Sequence, residues 1–163
     1  MGDTTKKVVA EMVRIMMVLL FSSFAWSAQA KDYFGITMAV DTAKTVCQKA
    51  DRVFADCEVT PEGDATIQGN GLLRLLNPVI QQARVSFAKD GKAEVLTVLT
   101  RPLSDKSIEK LIKHLREDYD LTNLTTLSAE NLTDIRGLRW DIQPLCTMNM
   151  PCNFQVKITS QSK

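Results

Sequence analysis

The sequence contains few of the residues from which catalytic and metal sites are usually built. His114 is the only histidine among 163 residues, and catalysis by an imidazole needs a nucleophile or a metal beside it, neither of which the sequence indicates. Gly69 and Gly71 lack both the lysine of a Walker loop and the spacing of a dinucleotide-binding loop. The sequence therefore predicts a protein that is not an enzyme and holds no cofactor. A small hydrolase whose site forms only in the folded chain stays open as an alternative.

An excess of charge of either sign is also missing. Of the 20 basic and 19 acidic side chains, three and two lie within the first 30 residues, which leaves 17 of each sign in residues 31–163. Nucleic-acid binding depends on clustered lysine and arginine side chains that neutralise phosphates. With this balance of charges, the chain is not expected to bind nucleic acid.

Long hydrophobic runs are absent except near the amino terminus. Two lysines and Arg14 precede an apolar run at Ile15–Trp26, and the small residues at Ala28 and Ala30 follow it. This order is typical of a signal peptide and its cleavage site. An apolar helix of about 12 residues rises about 18 Å, whereas the membrane core is about 30 Å thick. We therefore expect residues 1–30 to be cleaved, which leaves a periplasmic or secreted protein without a stable membrane anchor.

The four cysteines are Cys47, Cys57, Cys146 and Cys152. Exported proteins usually keep an even set of cysteines paired, and four of them allow three connectivities. The two local groups favour the bonds Cys47–Cys57 and Cys146–Cys152 over crossed pairings. Closing each short loop in this way stabilises a domain by roughly 2–3 kcal/mol.

Two stretches carry apolar residues at helical spacing. The first is Val40–Ala50, and the second is Ile108–Tyr119, which has charged residues on its opposite side. Ser104 is placed to cap the second helix, because a serine hydroxyl can accept a hydrogen bond from the first helical turn. A brief helical turn is also expected at Ser128–Glu130.

Alternation of apolar and polar residues predicts strands over residues 53–59, 65–68, 84–87, 95–99, 138–142 and 154–158. Asp90 and Gly91 lie between the third and fourth strands, which predicts a hairpin because glycine adopts a positive φ without a steric clash. The last two strands form a second hairpin with Cys146 and Cys152 at its tip. Residues 31–163 are therefore expected to fold as one α+β domain: an antiparallel sheet with two helices packed on one face and two disulfides.

Five side chains are candidates for contact with a partner: Trp140, Met148, Met150, Leu72 and Leu73. The two leucines either cap the core or form an exposed apolar loop. Trp140 either belongs to the core or forms a binding platform. Met148 and Met150 offer soft sulfur ligands of the kind that copper(I) and silver prefer. A soft-metal protein that uses the loop from Cys146 to Cys152 is therefore an alternative, although a disulfide there would remove both thiolates from the site.

Three short motifs carry a resemblance to known modules: Gly35-Ile36-Thr37-Met38 before the first helix, Val85-Ser86-Phe87 to Gly91 in the hairpin, and the late Trp140. In its order of helices and hairpins the chain resembles β-lactamase inhibitory protein-like folds and the small outer-membrane assembly lipoproteins. It departs from the lipoproteins because no cysteine follows the leader closely enough to carry a lipid. No functional residue carries over.

Together these features predict an exported, non-enzymatic module that binds a protein partner in the cell envelope. Inhibition of an enzyme is one form that such binding can take. The sheet face that the helices leave free and the loop tips are the surfaces where we expect the partner to bind.

Overall fold

The helices and strands follow the apolar patterns of the chain. A computed structural model describes residues 32–68, 80–146 and 151–160. The expected signal peptide and four of the candidate contacts, Leu72, Leu73, Met148 and Met150, lie outside these ranges. The elements of the described ranges are β1 (Asp32–Tyr33), β2 (Ile36–Thr37), α1 (Ala43–Asp51), β3 (Asp56–Val59), β4 (Ala65–Gln68), β5 (Ile80–Phe87), β6 (Ala93–Thr100), α2 (Asp105–Tyr119), β7 (Ala129–Thr133), β8 (Arg139–Leu145) and β9 (Asn153–Thr159).

Seven of these strands form one antiparallel sheet in the order β3-β4-β5-β6-β9-β8-β7, while β1 pairs with β2 separately. Because side chains alternate across a strand, every second residue lies on the same face. Paired residues form a buried row across one face: Ile67, Ala83, Val98, Val156 and Ile142. We call this the inner face, and the two helices pack on it. The predicted α+β fold is confirmed.

Hydroxyl side chains cap both helices. Thr42 accepts a hydrogen bond from the backbone N–H of Thr45 in a capping box at the start of α1. Ser104 accepts a hydrogen bond from the backbone N–H of Ser107 at the start of α2, as predicted. Each helix buries one stripe of side chains, which are Val46 and Ala50 in α1, and Leu111, Leu115 and Tyr119 in α2.

The turns of three hairpins share one hydrogen-bond pattern. In the β5–β6 turn, the N–H of Ala88 donates to the carbonyl of Lys92 at 2.9 Å, and the N–H of Gly91 donates back to Ala88 at 2.8 Å. Gly91 has a φ of 79°, which a side chain with a Cβ adopts only at a cost. The β3–β4 and β7–β8 turns repeat this pattern. Each is a three-residue loop with a bulge, and the predicted hairpin at Asp90 and Gly91 is confirmed.

Two expectations about single elements are wrong. Ser128–Glu130 does not form a helical turn, because Ala129–Thr133 is β7 and pairs with β8. Pairing with a buried sheet outweighs the weak local preference of this stretch. The strand expected over residues 53–59 begins only at Asp56, because the two residues before Ala55 belong to the turn that ends α1.

Both expected disulfides are present. Cys47 in α1 is bonded to Cys57 in β3, with 5.3 Å between their Cα atoms. Cys146 is bonded to Cys152 across the β8–β9 connection, with 4.4 Å between their Cα atoms. Two bonded pairs indicate an oxidising, extracytoplasmic environment. Within the described ranges, no helix combines the length and the apolar character that crossing a bilayer requires.

Candidate functional site

A buried polar cluster lies where β1 meets the β7–β8 turn. The carboxylate of Asp134 is buried and accepts hydrogen bonds from Tyr33 Oη at 2.7 Å and from Trp140 Nε1 at 3.2 Å. The backbone N–H groups of Arg136 and Leu138 donate to it at 2.9 Å and 3.0 Å. Burial and the bond to Asp134 raise the pKa of Tyr33. With four donors satisfied, this carboxylate fixes β1 to the sheet and has the surroundings of a structural group.

Trp140 belongs to the same cluster. Its side chain has an exposed fraction of 0%, and its ring centroid lies 5.8 Å from that of Tyr33 and 5.2 Å from that of Tyr119. The interpretation of Trp140 as a core residue is therefore confirmed, and its interpretation as a binding platform is wrong. The ring offers no platform to a partner.

A second buried carboxylate holds the segment before α1. Asp41 accepts hydrogen bonds from the backbone N–H of Thr37 and from Lys49 Nζ, both at 2.7 Å. Lys49 Nζ also donates to the carbonyl of Gly35 at 3.2 Å. Because these contacts join β2 to α1, the pair of charges serves the fold.

His114 lies on the surface of α2. Its Nδ1 faces the carboxylate of Asp118 one turn further on, and its ring meets Tyr119 edge-on with 5.5 Å between ring centroids. These are the contacts of an i, i+4 pair on a helix surface. Among the described residues, no three metal-ligating side chains come together.

Two concavities on the surface are lined by charged side chains. The larger, about 630 Å³, lies along α2 and includes Lys113 and Glu117, whose charged atoms are 3.8 Å apart. The smaller, about 360 Å³, includes Arg139, Asp141 and Lys157, and Arg139 pairs with Asp141 at 3.2 Å. Ion pairs of this kind are typical of a solvated surface and contribute little to stability. The smaller concavity lies on the face of the sheet opposite the helices.

Large apolar side chains are exposed at a few described positions. Phe54 has an exposed fraction of 88% and Ile135 one of 81%, and the others are near half exposed, namely Val40, Val59 and Leu145. Aromatic side chains usually bury most of their surface. Phe54 is therefore the described side chain whose exposure most needs an explanation.

Phe54 also occupies the position at which a helix-ending turn favours glycine. Its N–H donates to the carbonyl of Asp51 and the N–H of Ala55 donates to that of Ala50, both at 3.1 Å. These two bonds are those of a Schellman motif, whose left-handed residue is usually glycine. Phe54 has a φ of 58°, and this conformation costs a side chain with a Cβ about 1–2 kcal/mol.

The Cys47–Cys57 disulfide closes the loop that contains Phe54. Asp56 begins β3 two residues later, and the register aligns Asp56 across the sheet with Gln143 in β8. The Cys146–Cys152 disulfide follows β8 and therefore lies at the same end of the sheet. We call this end, with Phe54 and the two disulfides, the disulfide end.

The segments that carry the other sequence-predicted contacts lie outside the described residues and join the described chain at this same end. Gln68, which precedes residues 69–79, pairs with Asp56. Cys146 and Pro151 flank residues 147–150. The attachment points of the segments with Leu72, Leu73, Met148 and Met150 are therefore at the disulfide end, although these four side chains lie outside the described residues.

Comparison of the chain with protein-family models, with curated proteins and with solved structures found no match. The resemblance to β-lactamase inhibitory protein-like folds stays a prediction. The function is therefore inferred from the geometry of the disulfide end.

Sequence reasoning missed Phe54. Its place among alternating residues suggested a strand, whereas the structure places it in the turn that ends α1. The available signal was an absence: no glycine stands between Ala50 and Cys57, although a helix that must end there commonly uses one.

Proposed function

We propose that this chain is an exported, non-enzymatic module that binds a protein partner in the cell envelope through the disulfide end, with Phe54 as the anchoring side chain. The observation that carries the proposal is the combination of 88% exposure and a φ of 58° at this one residue. The other described positions with positive φ and a Cβ include the buried Phe34 and the exposed Asn131. Neither of them presents a large apolar surface to solvent.

Neither property of Phe54 stabilises the isolated protein. The exposed ring gains almost nothing from burial, and the left-handed backbone costs about 1–2 kcal/mol relative to a right-handed one. A complex offsets both, because an aromatic side chain seated in a partner's pocket can contribute about 2–4 kcal/mol to binding. The disulfide holds the turn in place, so little conformational entropy is lost on binding.

Export supports the same proposal. The two disulfides of the described chain need an oxidising compartment to form and persist. The leader pattern of residues 1–30 directs the chain to such a compartment. We therefore propose the periplasm or the extracellular space as the site of action, and an envelope enzyme that the module inhibits as one class of partner.

A pull-down from an envelope extract tests the proposal with three oxidised proteins: the wild type, Phe54→Gly and Ile135→Ser. Ile135 is the matched control because it is 81% exposed but lies in the β7–β8 turn, away from the disulfide end. Mass spectrometry identifies the retained protein, and its affinity is then measured with purified components. We expect the wild type and Ile135→Ser to bind alike, and Phe54→Gly to bind at least about tenfold more weakly.

Equal affinity for the wild type and Phe54→Gly would contradict the anchor. Failure of the wild type to retain any protein specifically would contradict the protein-binding role itself. Thermal melts show that a loss of binding does not come from unfolding, because Phe54→Gly should be at least as stable as the wild type. If the retained protein is an enzyme, its activity is titrated with the wild type and with Phe54→Gly, which tests whether the module is an inhibitor.

A further inference from the structure

The β3 edge of the sheet presents backbone groups that no described strand pairs with. Across the β3–β4 turn, the N–H of Thr60 donates to the carbonyl of Asp64 at 2.8 Å, and β3 pairs with β4 without a register shift. Hydrogen-bonded and non-bonded pairs alternate along an antiparallel ladder. The N–H and C=O groups of Cys57 and Val59 therefore point away from β4, and none of the described strands pairs with them.

The β7 edge differs, because its backbone is irregular and partly satisfied. Its register shifts between Ala129 and Leu132, and Asn131 between them has a φ of 55°. The N–H of Asn131 donates to Asp141 Oδ1 at 2.8 Å. Bulges and satisfied donors of this kind prevent the addition of a further strand. The regular, unbulged edge is therefore the one at β3.

The side chains around β3 indicate the charge of a segment that would pair with it. Asp56 and Glu58 are exposed on the outer face, and residues 51–62 contain four acidic side chains and one basic side chain. Val59 is 51% exposed on the inner side of the same strand. An added strand would be favoured by basic side chains on its outer face and apolar ones on its inner face.

In two registers, a second copy of this chain fits the edge poorly. An antiparallel pairing that sets Cys57 of one copy opposite Val59 of the other also sets Glu58 opposite Glu58. Shifting the copy so that Cys57 faces Cys57 sets Asp56 opposite Glu58. Like charges directly opposite each other destabilise a strand pair.

We infer that the β3 edge binds an extended segment of a partner protein as an additional antiparallel strand, with lysine or arginine side chains opposite Asp56 and Glu58. The inference rests on the proposed function and specifies the chemistry of the partner beside Phe54. Backbone hydrogen bonds to Cys57 and Val59 supply affinity, and the alternating side chains supply specificity.

Synthetic heptapeptides of alternating lysine and valine test this binding mode on the unaltered, oxidised protein. Placing the lysines against Asp56 and Glu58 sets each valine in register with Cys57 or Val59, so the valine N–H groups face β3. Methylating the backbone nitrogens of the valines removes these donors. Methylating the backbone nitrogens of the lysines leaves the valine donors intact. We expect the parent peptide and the lysine-methylated peptide to bind, and the valine-methylated peptide to bind at least about tenfold more weakly.

Hydrogen exchange measured on the same samples locates the contact. The parent peptide should slow exchange at the Cys57 and Val59 amides and leave the Leu132 amide of β7 unchanged. A peptide of alternating glutamate and valine should leave the exchange of all three amides unchanged. Equal binding of the two methylated peptides, protection at β7 instead of β3, or equal binding of the glutamate peptide would each overturn the inference. Concentration-dependent protection of Cys57 without any peptide would also overturn it, by identifying a second copy as the occupant.

The variant Val59→Pro separates this inference from the proposed function. Proline removes an N–H that β4 does not use, so the β3–β4 ladder is kept while one outward donor is lost. We expect Val59→Pro to lose both the peptide and the partner found by pull-down, whereas Phe54→Gly loses the partner and keeps peptide protection at Cys57. If Val59→Pro folds and keeps the partner that Phe54→Gly loses, strand addition is wrong and the proposed function stands.

Discussion

The two edges of the sheet are built in opposite ways. At β7, polar groups are satisfied within the chain, since Asp134 accepts four hydrogen bonds and the N–H of Asn131 is bonded to Asp141. At β3, Phe54 and Val59 are exposed and every second backbone unit points outward. One edge contributes to the stability of the fold, and the other has backbone groups that no described strand pairs with.

The two sides of the sheet are also held in place by different kinds of bond. The β7 side is held by a buried network whose members come from β1, β8 and the β7–β8 turn. The β3 side has a four-residue strand with a partly exposed burial pattern, and a disulfide ties it to α1. A crosslink can hold a surface in place without burying it, which is what the proposed binding role would require of the β3 side.

The largest loss of stability is expected for Asp134→Ala, which removes the buried hydrogen bonds on the β7 side. Removing the carboxylate leaves two side-chain donors and two backbone donors without their partner, and breaking a buried network of this kind costs about 3–5 kcal/mol. Urea denaturation measures the loss. The control is Asp64→Ala, which removes only the 2.7 Å surface pair with Arg84 and should cost about 1 kcal/mol or less. Similar losses in the two variants would refute the structural role of Asp134.

The next effect is expected when the Cys47–Cys57 bond is removed by a double substitution to serine. Loss of the crosslink should lower the free energy of unfolding by about 2–3 kcal/mol. Hydrogen exchange should show faster opening of β3 than of β8, because few buried contacts hold β3 in place. Removing the Cys146–Cys152 bond is the matched control and should leave β3 protected. Unchanged exchange in β3 after loss of its own disulfide would show that the edge does not need the crosslink.

Phe54→Gly should have the opposite effect and stabilise the protein. Glycine adopts the φ of 58° found here without a Cβ penalty, so the gain should be about 1 kcal/mol. Ile135→Gly is the control, since Ile135 is exposed but is not among the positive-φ residues, and glycine there should destabilise by about 0.4–1 kcal/mol. Thermal melts measure both the stabilisation expected for Phe54→Gly and the destabilisation expected for Ile135→Gly. A destabilised Phe54→Gly variant would mean that the ring supports the fold after all.

Much of the fold could be predicted because its signals are local. The stripe of α2 and its cap at Ser104 lie within 16 residues of one another. The hairpin at Asp90 and Gly91 is likewise encoded by a short stretch of chain. The cysteines lie 10 and 6 residues apart within their pairs, so proximity alone favours the correct connectivity. Such features need no knowledge of the tertiary structure.

The remaining features depend on contacts that sequence does not reveal. Tyr33 and Asp134 are 101 residues apart, and nothing near either residue marks them as partners. The sequence predicts a helical turn at Ser128–Glu130 instead of β7, because only the pairing with β8 defines this strand. Phe54 could not be recognised as a candidate anchor, because its exposure and its left-handed backbone appear only once α1 and β3 are placed.

The smallest expected effect is on the pH dependence of stability, through the hydrogen bond between Asn131 and Asp141 at the β7 edge. The hydrogen bond from the Asn131 N–H, together with Arg139, lowers the pKa of Asp141 below its usual 3.8. A lowered folded-state pKa contributes stability that is present above the unfolded pKa and is lost as the pH falls through the folded pKa. Because the group is close to solvent, the contribution should be roughly 0.5 kcal/mol or less.

Urea denaturation at a series of pH values, from neutral to acidic, measures this contribution by comparing the wild type with Asp141→Asn. The variant should be slightly less stable at neutral pH, and the difference should shrink as the pH falls below 3.8, because the wild-type carboxylate is then protonated. Asp90→Asn, which alters the exposed pair with Lys92, controls for the change in net charge. If the difference in stability between the wild type and Asp141→Asn stays constant as the pH falls, the charge of Asp141 does not stabilise the β7 edge.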